Sequence, residues 1–133
     1  MIGIDANVLV RYLTGDDPRQ SAAAERFLKR TCSTKDPGWI GVVVLCELVW
    51  VLQRGYGYPR GKIAAVLAQL LQTADLEIES KRCVRKALRD YGASNVDFAD
   101  ALIARTNTEA GAAETWTFDK KAAKLPGFRL LKS

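Results

Sequence analysis

The sequence predicts an α/β fold in which a single three-layer α/β/α domain spans residues 1–133 around a central parallel sheet of four to five short strands. Short apolar runs alternate with longer segments whose apolar residues recur at helical spacing, a pattern typical of a parallel sheet covered on both faces. The 133 residues, 48% of them hydrophobic, suffice for one substantial core but not comfortably for two. No repeat, low-complexity tract or long linker divides the chain, so we expect one domain.

The first half of the chain contains well-marked helix boundaries. Gly15 is expected to end the first helix, and Asp17 is a suitable N-cap for the second because Pro18 follows at the first helical position. The run 43–53 has apolar residues at spacings of three and four, which favours a helix, although a strand over residues 40–45 is an alternative. The elements predicted here are strands over residues 1–4 and 39–41 and helices over residues 7–13, 18–30, 43–53 and 59–72.

The second half alternates short apolar strands with helices. Ser80 is expected to cap a helix that ends near Gly92, and Gly111 is expected to stop a helix that begins at Asp97. The elements predicted here are strands over residues 76–78, 115–117 and 128–131 and helices over residues 80–92, 97–109 and 120–124.

Charge and cysteine content restrict the class of protein. Twenty Lys and Arg against fifteen Asp and Glu give a formal charge of +5, which suits a polyanionic substrate, although such a charge also simply favours solubility. Cys32, Cys46 and Cys83 are odd in number and lack metal-binding spacing, so neither a disulfide framework nor a zinc site is predicted. We recognise no signal peptide or membrane-spanning segment and expect a cytoplasmic protein without membrane association.

Five acids are placed where an α/β fold could gather them. Asp5 and Asp119 each follow a predicted strand, and ligands of such folds bind outside the carboxyl ends of the strands. Asp97 and Asp100 lie three residues apart at a predicted helix start, and therefore on one face of that helix. Glu47 interrupts an apolar run. Because the chain has no histidine, any chemistry must rest on carboxylates, and clustered carboxylates require a hard cation such as Mg²⁺ or Mn²⁺.

Each acid also has a purely structural interpretation. The apolar neighbours of Glu47 predict that it is buried, and a buried acid needs either a metal or an ion pair with a base such as Arg11. The other acids have local alternatives: Asp97 as an N-cap, Asp5 as a turn residue that ends a strand, and Asp119 as the cap of the helix over residues 120–124.

These acids lie in segments that resemble the motifs of a known family. In order and spacing over nearly the whole chain, the segments resemble PIN-domain ribonucleases, and in particular the VapC-type toxins of bacterial toxin–antitoxin pairs. Residues 10–18 are also similar to a segment of these toxins. The segments that contain the acids are residues 5–9, 45–52, 97–104 and 117–119.

The resemblance implies a Mg²⁺- or Mn²⁺-dependent endoribonuclease in which a metal-activated water attacks the phosphodiester bond. Because water rather than the 2′-hydroxyl attacks, the products would carry 5′-phosphate and 3′-hydroxyl ends. By this resemblance the catalytic and metal-binding acids are Asp5, Glu47, Asp100 and Asp119, with Asp97 as a fifth, outer-shell acid and Asn7 and Thr117 in support.

The resemblance also implies partners, namely an RNA substrate, a VapB-type antitoxin protein and a second copy of the chain in a homodimer. Trp39, Trp50 and Trp116 lie in apolar runs, which favours a place in the core over base stacking. The basic residues expected to contact the RNA backbone are Arg11, Arg54, Lys120 and Lys121.

Two other functional classes remain open at this point. A haloacid-dehalogenase-like phosphatase also uses an aspartate after the first strand, but its chemistry needs a second acid two residues later, where this chain has Asn7. A non-catalytic RNA-binding protein would depend on its basic residues and not on its acids.

Overall fold

Six helices and five short strands are distributed along residues 1–133, all of which the computed structural model describes. The chain forms two units, Met1–Glu79 and Ser80–Ser133. None of the helices is both long enough and apolar enough to cross a membrane. The first unit contains β1 (Ile2–Gly3), α1 (Ala6–Thr14), α2 (Pro18–Thr31), β2 (Gly38–Ile40), α3 (Val42–Gly55), α4 (Arg60–Gln72) and β3 (Leu76–Ile78).

The first unit is built on a parallel three-stranded sheet with β2 in the centre. Gly38 of β2 pairs with Ile2 on one side and with Leu76 on the other. A Cβ atom at Gly38 would lie 3.0 Å from Sγ of Cys32 and 3.2 Å from a methyl group of Leu76, and closer still to Ile4. Glycine is therefore needed here because neighbouring side chains already fill the space above the central strand.

The boundaries of α1 and α2 confirm the capping prediction. Gly15 adopts a left-handed conformation (φ 65°), and its N–H donates to the carbonyl of Arg11, which ends α1. Oδ1 of Asp17 accepts a hydrogen bond from the N–H of Gln20 at 3.1 Å, and Pro18 occupies the first helical position of α2. Both boundaries follow from local residue chemistry.

Helix α3 confirms the helical interpretation of the apolar run, and the alternative strand over residues 40–45 is wrong. Leu45, Leu48 and Leu52 are fully buried, so their helical spacing does mark the inner face. The N–H of Val42 donates to the carboxylate of Glu79 at 2.9 Å. The acid that follows β3 thus stabilises the first turn of α3, where Gly41 has no side chain to act as a cap.

The second unit consists of two packed helices and a parallel pair of strands. Its elements are α5 (Lys81–Ala93), α6 (Phe98–Glu109), β4 (Thr115–Thr117), a 3₁₀ turn (Ala122–Lys124) and β5 (Phe128–Leu130). The guanidinium of Arg105 on α6 donates to both carboxylate oxygens of Asp90 on α5, at 2.8 and 2.9 Å. The rings of Tyr91 and Phe98 meet edge to face with centroids 6.0 Å apart. These contacts fix α6 against α5.

The α/β class with short parallel strands is confirmed, but the strands are hydrogen-bonded as a three-stranded and a two-stranded sheet and not as one ladder. Strands of two or three residues offer few ladder hydrogen bonds, which limits how far pairing extends. Two smaller predictions are wrong. Ser80 has a left-handed backbone (φ 51°) and makes no capping hydrogen bond, and the helix over residues 120–124 is a single 3₁₀ turn. That residues 1–133 act as one domain stays a prediction.

Gly38→Ala should lower the free energy of unfolding by about 1–3 kcal/mol, because the added methyl group overpacks the space between Cys32 and Leu76. Urea denaturation measures the change. Gly61→Ala is the matched control, since no atom lies within 4 Å of a Cβ built at Gly61 in α4. The control should leave stability unchanged or raise it by up to about 1 kcal/mol. Equal stability of the two variants would contradict the close packing at Gly38.

Candidate active site

Three carboxylates of the second unit lie within electrostatic reach of one another around the first turn of α6. Asp100 is half-buried in that turn, and burial raises its pKa above the ordinary value. The negative charges of Asp97 and Asp119 raise the pKa of Asp100 further. The structure thus brings together three of the acids that the sequence singled out, and two of them make the charge of the third, Asp100, more costly.

Asp97 occupies the N-cap position of α6 but does not act as a cap. Its backbone is extended (φ −68°, ψ 144°), as expected for an N-cap, yet its side chain makes no capping hydrogen bond. The carboxylate is exposed and is therefore available to a ligand. The N-cap interpretation of Asp97 therefore explains where the residue lies in the fold. It does not explain the role of its carboxylate, which makes no capping hydrogen bond.

Asp119 is held in a tight turn after β4. Oγ1 of Thr117 accepts a hydrogen bond from the N–H of Asp119 at 3.0 Å. Oδ1 of Asp119 accepts from the N–H groups of Lys121 and Ala122, at 2.8 and 3.2 Å. Oδ1 thus holds the turn, but Asp119 is not the predicted helix cap, because the N-cap of the 3₁₀ turn is Lys121. Oδ2 makes no hydrogen bond and can serve as a ligand atom. The hydroxyl oxygen of Thr117 holds this turn, while its supporting part in a metal site stays a prediction.

In the first unit, Asp5 stands between β1 and α1. Its Oδ1 accepts a hydrogen bond from the N–H of Ala6 at 2.7 Å, and the residue is the N-cap of α1. The side chain is exposed. As with Asp119, a local hydrogen bond orients the carboxylate and leaves its second oxygen open.

Glu47 lies on the exposed side of α3, so the prediction that it is buried is wrong. The residues on either side of it are apolar because α3 is apolar on nearly all of its faces, and Glu47 shares the outer face with Val43 and Trp50. Arg11, the suggested ion-pair partner of Glu47, pairs instead with Asp16 at 2.9 Å. Neither burial nor an ion pair with Arg11 therefore applies to Glu47.

None of the five acids forms an ion pair. Their donor set consists of carboxylate oxygens, the ligand type that Mg²⁺ and Mn²⁺ prefer. The structure shows no group of three or more such side chains that could hold a metal ion. The chemistry of the donors fits a hard divalent cation, and Asp97 and Asp119 place negative charge near Asp100.

The four basic residues predicted to contact the RNA backbone differ in whether their side chains are already hydrogen-bonded. Nη1 of Arg11 donates to both oxygens of Asp16 and to the hydroxyl of Tyr56, and its Nε donates to Gln20. These contacts leave Arg11 poorly suited to bind a phosphate, contrary to the prediction. The exposed candidates are Arg54, whose guanidinium lies 6.0 Å from the ring centre of Trp50, together with Lys120 and Lys121.

Exposed aromatic residues are the main feature that sequence reasoning missed. Trp50 and Trp116 are 60% and 57% exposed, so their predicted place in the core is wrong, and only Trp39 is partly buried. Phe118, next to Asp119, is 67% exposed. The alternation of β4 could have indicated this, because Thr115 accepts a hydrogen bond from Asn107 on α6 and Trp116 must then point to the other face.

Asn7 lies at the rim of an open groove of about 580 Å³ between α1 and α2. The floor of the groove is apolar and its rim is polar. Asn7 is exposed and lies two residues after Asp5, so it is available to support a ligand there. The other residues that line the groove are Val8, Arg11, Gln20, Ala23, Ala24 and Phe27.

The stability of the chain should depend on the ionisation of Asp16. Hydrogen bonds from the hydroxyl of Tyr56, from Arg11 and from Thr14 lower the pKa of Asp16 to about 2. Because this value lies below the ordinary 3.8, the ionised network contributes stability at neutral pH and loses it as the pH falls from about 4 towards 2.

Asp16→Asn should therefore lower the urea midpoint at neutral pH, and the difference from wild type should shrink as the pH falls from about 4 to 2. High salt should reduce the difference at neutral pH, because the network is partly exposed. A difference that stays constant between neutral and strongly acidic pH would contradict the low pKa of Asp16.

Two comparisons relate the chain to known proteins. The family model of the PIN domain matches residues 2–127. The chain is also similar to a protein named VapC ribonuclease from Aquifex aeolicus (strain VF5), with 26% identity over 126 residues. That alignment covers 95% of this chain and 92% of the Aquifex protein.

Proposed function

The chain belongs to the PIN domain family, and from this membership we propose that it is an endoribonuclease that depends on Mg²⁺ or Mn²⁺. The observation that carries the proposal is the cluster of Asp97, Asp100 and Asp119, three carboxylates without an ion-pair partner in a chain that has no histidine. The similarity to a ribonuclease over nearly the full length of both proteins supports the choice of RNA as substrate.

The proposed metal ligands are the four acids that match the motifs of the family. Each has at least one carboxylate oxygen without a protein hydrogen bond, and none is neutralised by a cation. Asp97 is exposed and free of a capping role, which suits an acid that binds a water of the metal. The proposed ligands are Asp5, Glu47, Asp100 and Asp119, with Asp97 in the outer shell and Asn7 and Thr117 in support.

A divalent cation at these acids would supply Lewis-acid polarisation of a phosphoryl oxygen and a water of lowered pKa. The protein residues do the rest by position and charge. Thr117 and the 3₁₀ turn hold the loop of Asp119, and the N–H of Ala6 holds Asp5, so neither carboxylate must be ordered when a cation binds. The products would be 5′-phosphate and 3′-hydroxyl ends, and none of the acids need act as a nucleophile.

The RNA backbone is proposed to meet the exposed bases Arg54, Lys120 and Lys121. The two lysines directly follow Asp119, so a phosphate near that acid would also lie near their charges. From the resemblance of its motifs to VapC-type toxins, we further propose that the chain is the toxin of a type II toxin–antitoxin pair, with a VapB-type antitoxin and a homodimeric state. We also propose a cytoplasmic location, as expected from the sequence.

The match to the PIN domain family disfavours the phosphatase alternative, which in any case lacks an acid at Asn7. A non-catalytic RNA-binding protein remains the competing function. The two functions differ in what they require of the acids, and the acids are therefore the residues to change.

Purified protein should cleave RNA only when Mg²⁺ or Mn²⁺ is present, and EDTA should abolish the cleavage. Asp5→Asn and Asp100→Asn should each reduce the rate by about 100-fold or more, because a missing ligand weakens both metal binding and substrate positioning. Gel electrophoresis of end-labelled RNA measures the rate and identifies the product ends.

The matched control is Glu109→Gln, which removes one negative charge from the other end of α6 and should leave the rate unchanged. Full cleavage in EDTA, or products with 2′,3′-cyclic phosphate ends, would show that the metal mechanism is wrong. Binding of RNA without any cleavage would favour the non-catalytic alternative.

In the absence of metal, Asp100→Asn should raise the melting temperature. The folded-state pKa of Asp100 is raised, so its ionised form costs stability at neutral pH, and the amide removes that cost. Each kcal/mol of relief corresponds to roughly 2–5 °C for a chain of this size. The gain should disappear below about pH 4, where the wild-type carboxyl group is itself protonated.

Added Mn²⁺ should reverse the order of the melting temperatures of wild type and Asp100→Asn. A ligand that binds only the folded state adds stability in proportion to its affinity, so wild type should gain much more than Asp100→Asn. Differential scanning fluorimetry with EDTA and with Mn²⁺ measures both effects. If the variant melts well below wild type in EDTA and Mn²⁺ does not move wild type, Asp100 is a structural residue.

A further inference from the structure

The metal-binding proposal leaves one sequence motif unexplained, residues 10–18, and the structure places its polar side chains in a single network. We propose that Arg11, Asp16 and Tyr56 position the ligands Asp5 and Glu47 by fixing helix α1 against helix α3. The inference rests on the proposed function, because it concerns the placement of two proposed metal ligands.

The network joins α1 to the end of α3 through the loop that follows α1. Nη1 of Arg11, on α1, donates to Oδ1 and Oδ2 of Asp16 at 2.9 and 3.0 Å. The hydroxyl of Tyr56, the residue directly after α3, donates to Oδ2 of Asp16 at 2.6 Å and accepts from Arg11 at 3.2 Å. Thr14 also donates to Asp16. Asp16 is therefore the common acceptor of three donors.

The network continues to the two neighbouring helices. Nε of Arg11 donates to the side-chain carbonyl of Gln20 on α2 at 2.7 Å. The ring of Tyr56 meets that of Tyr58 edge to face, and Nζ of Lys62 on α4 lies 3.8 Å from the ring centre of Tyr58. Four helices of the first unit are thus joined at one place by directional contacts.

Directional contacts matter here because the rest of the α1–α3 packing is apolar. Helix α1 buries Ala6, Leu9 and Val10, and α3 buries its leucine face. Apolar contact is strong but non-directional, so it tolerates small shifts of one helix along the other. Charge-assisted hydrogen bonds such as those of Asp16 have defined lengths and angles, and they fix the relative position of the two helices.

Both proposed ligands are on the helices that the network connects. Asp5 caps α1 six residues before Arg11, about 9 Å along the helix axis. Glu47 lies on α3 nine residues before Tyr56, about 13 Å along that axis. Because helices move as rigid rods, an altered contact at the network displaces both carboxylates, and displacement of a catalytic group by about 1 Å can cost 100-fold in rate.

The test removes one hydroxyl group from the network and compares it with a neighbour outside it. Tyr56→Phe deletes the 2.6 Å hydrogen bond to Asp16, whereas Tyr58→Phe deletes a hydroxyl for which the structure shows no hydrogen bond and keeps the ring. Isothermal titration calorimetry with Mn²⁺ measures metal affinity without reference to activity. Tyr56→Phe should bind Mn²⁺ about 3- to 30-fold more weakly than wild type, and Tyr58→Phe should bind it equally well.

Kinetics and a double-mutant cycle separate positioning from general destabilisation. Tyr56→Phe should lower kcat for RNA cleavage with little change in KM, since it displaces metal ligands and removes no base that is proposed to bind RNA. In a Glu47→Gln background, Tyr56→Phe should weaken Mn²⁺ binding by a smaller factor than in wild type, because one of the two ligands that the network positions is already altered. If Tyr56→Phe does not fold, Arg11→Lys serves instead, since lysine keeps the charge but cannot hold Asp16 with the same geometry.

The outcomes distinguish failure of the two proposals. If wild type binds Mn²⁺ and cleaves RNA while Tyr56→Phe matches Tyr58→Phe in affinity and kcat, the positioning role is wrong and the proposed function stands. Fully additive effects of Tyr56→Phe and Glu47→Gln would also overturn the positioning role. If wild type neither binds Mn²⁺ nor cleaves RNA, the proposed function fails and the positioning role fails with it.

Discussion

The physical constraint on which the candidate site depends is the repulsion among carboxylates that have no counter-cation. Asp97, Asp100 and Asp119 lie close enough that each raises the cost of ionising Asp100, and burial raises that cost further. The chain does not relieve the repulsion with a basic side chain, although twenty are present. The positive end of α6 offsets part of the cost. If the proposed cation binds there, it would offset this repulsion and stabilise the folded chain.

The same constraint explains the local structure around each acid. Carboxylates that repel one another must be held in place by something other than their mutual contacts. Asp5 is held by the N–H of Ala6, and Asp119 by the backbone of a 3₁₀ turn, and in both cases one oxygen remains open. Two of the short strands serve this arrangement, because β1 and β4 each bring the chain to a helix or turn whose backbone N–H groups orient an acid. In Asp5 and Asp119, one carboxylate oxygen can accept the local hydrogen bond while the other binds a ligand. A structural role and a ligand role are therefore compatible for these residues.

Three acids outside the family motifs are paired, and their contacts stabilise the elements that contain the candidate site residues. Asp16 pairs with Arg11 and Tyr56, and Glu79 holds the first turn of α3. Asp90 pairs with Arg105 and joins α5 to α6. The acids at these helix junctions are paired, whereas none of the five acids in the family motifs forms an ion pair. The aromatic side chains left exposed on α3 and after β4 show that apolar residues in this chain are not reserved for the core.

By itself the sequence determined the α/β class, the order of nearly all elements and the identity of the acids. Local effects decide these features: capping residues such as Asp17 and Gly15, helical spacing such as that of the leucines in α3, and motifs with a fixed order. Only the tertiary structure decided that Glu47, Trp50 and Trp116 are exposed, because a helix or strand that is apolar on several faces gives no signal of which face is covered. Tertiary structure also decided that Arg11 pairs with Asp16 and Tyr56, residues 5 and 45 positions away, and that the strands pair as two sheets. Partners distant in sequence are chosen by packing geometry, which no local pattern encodes.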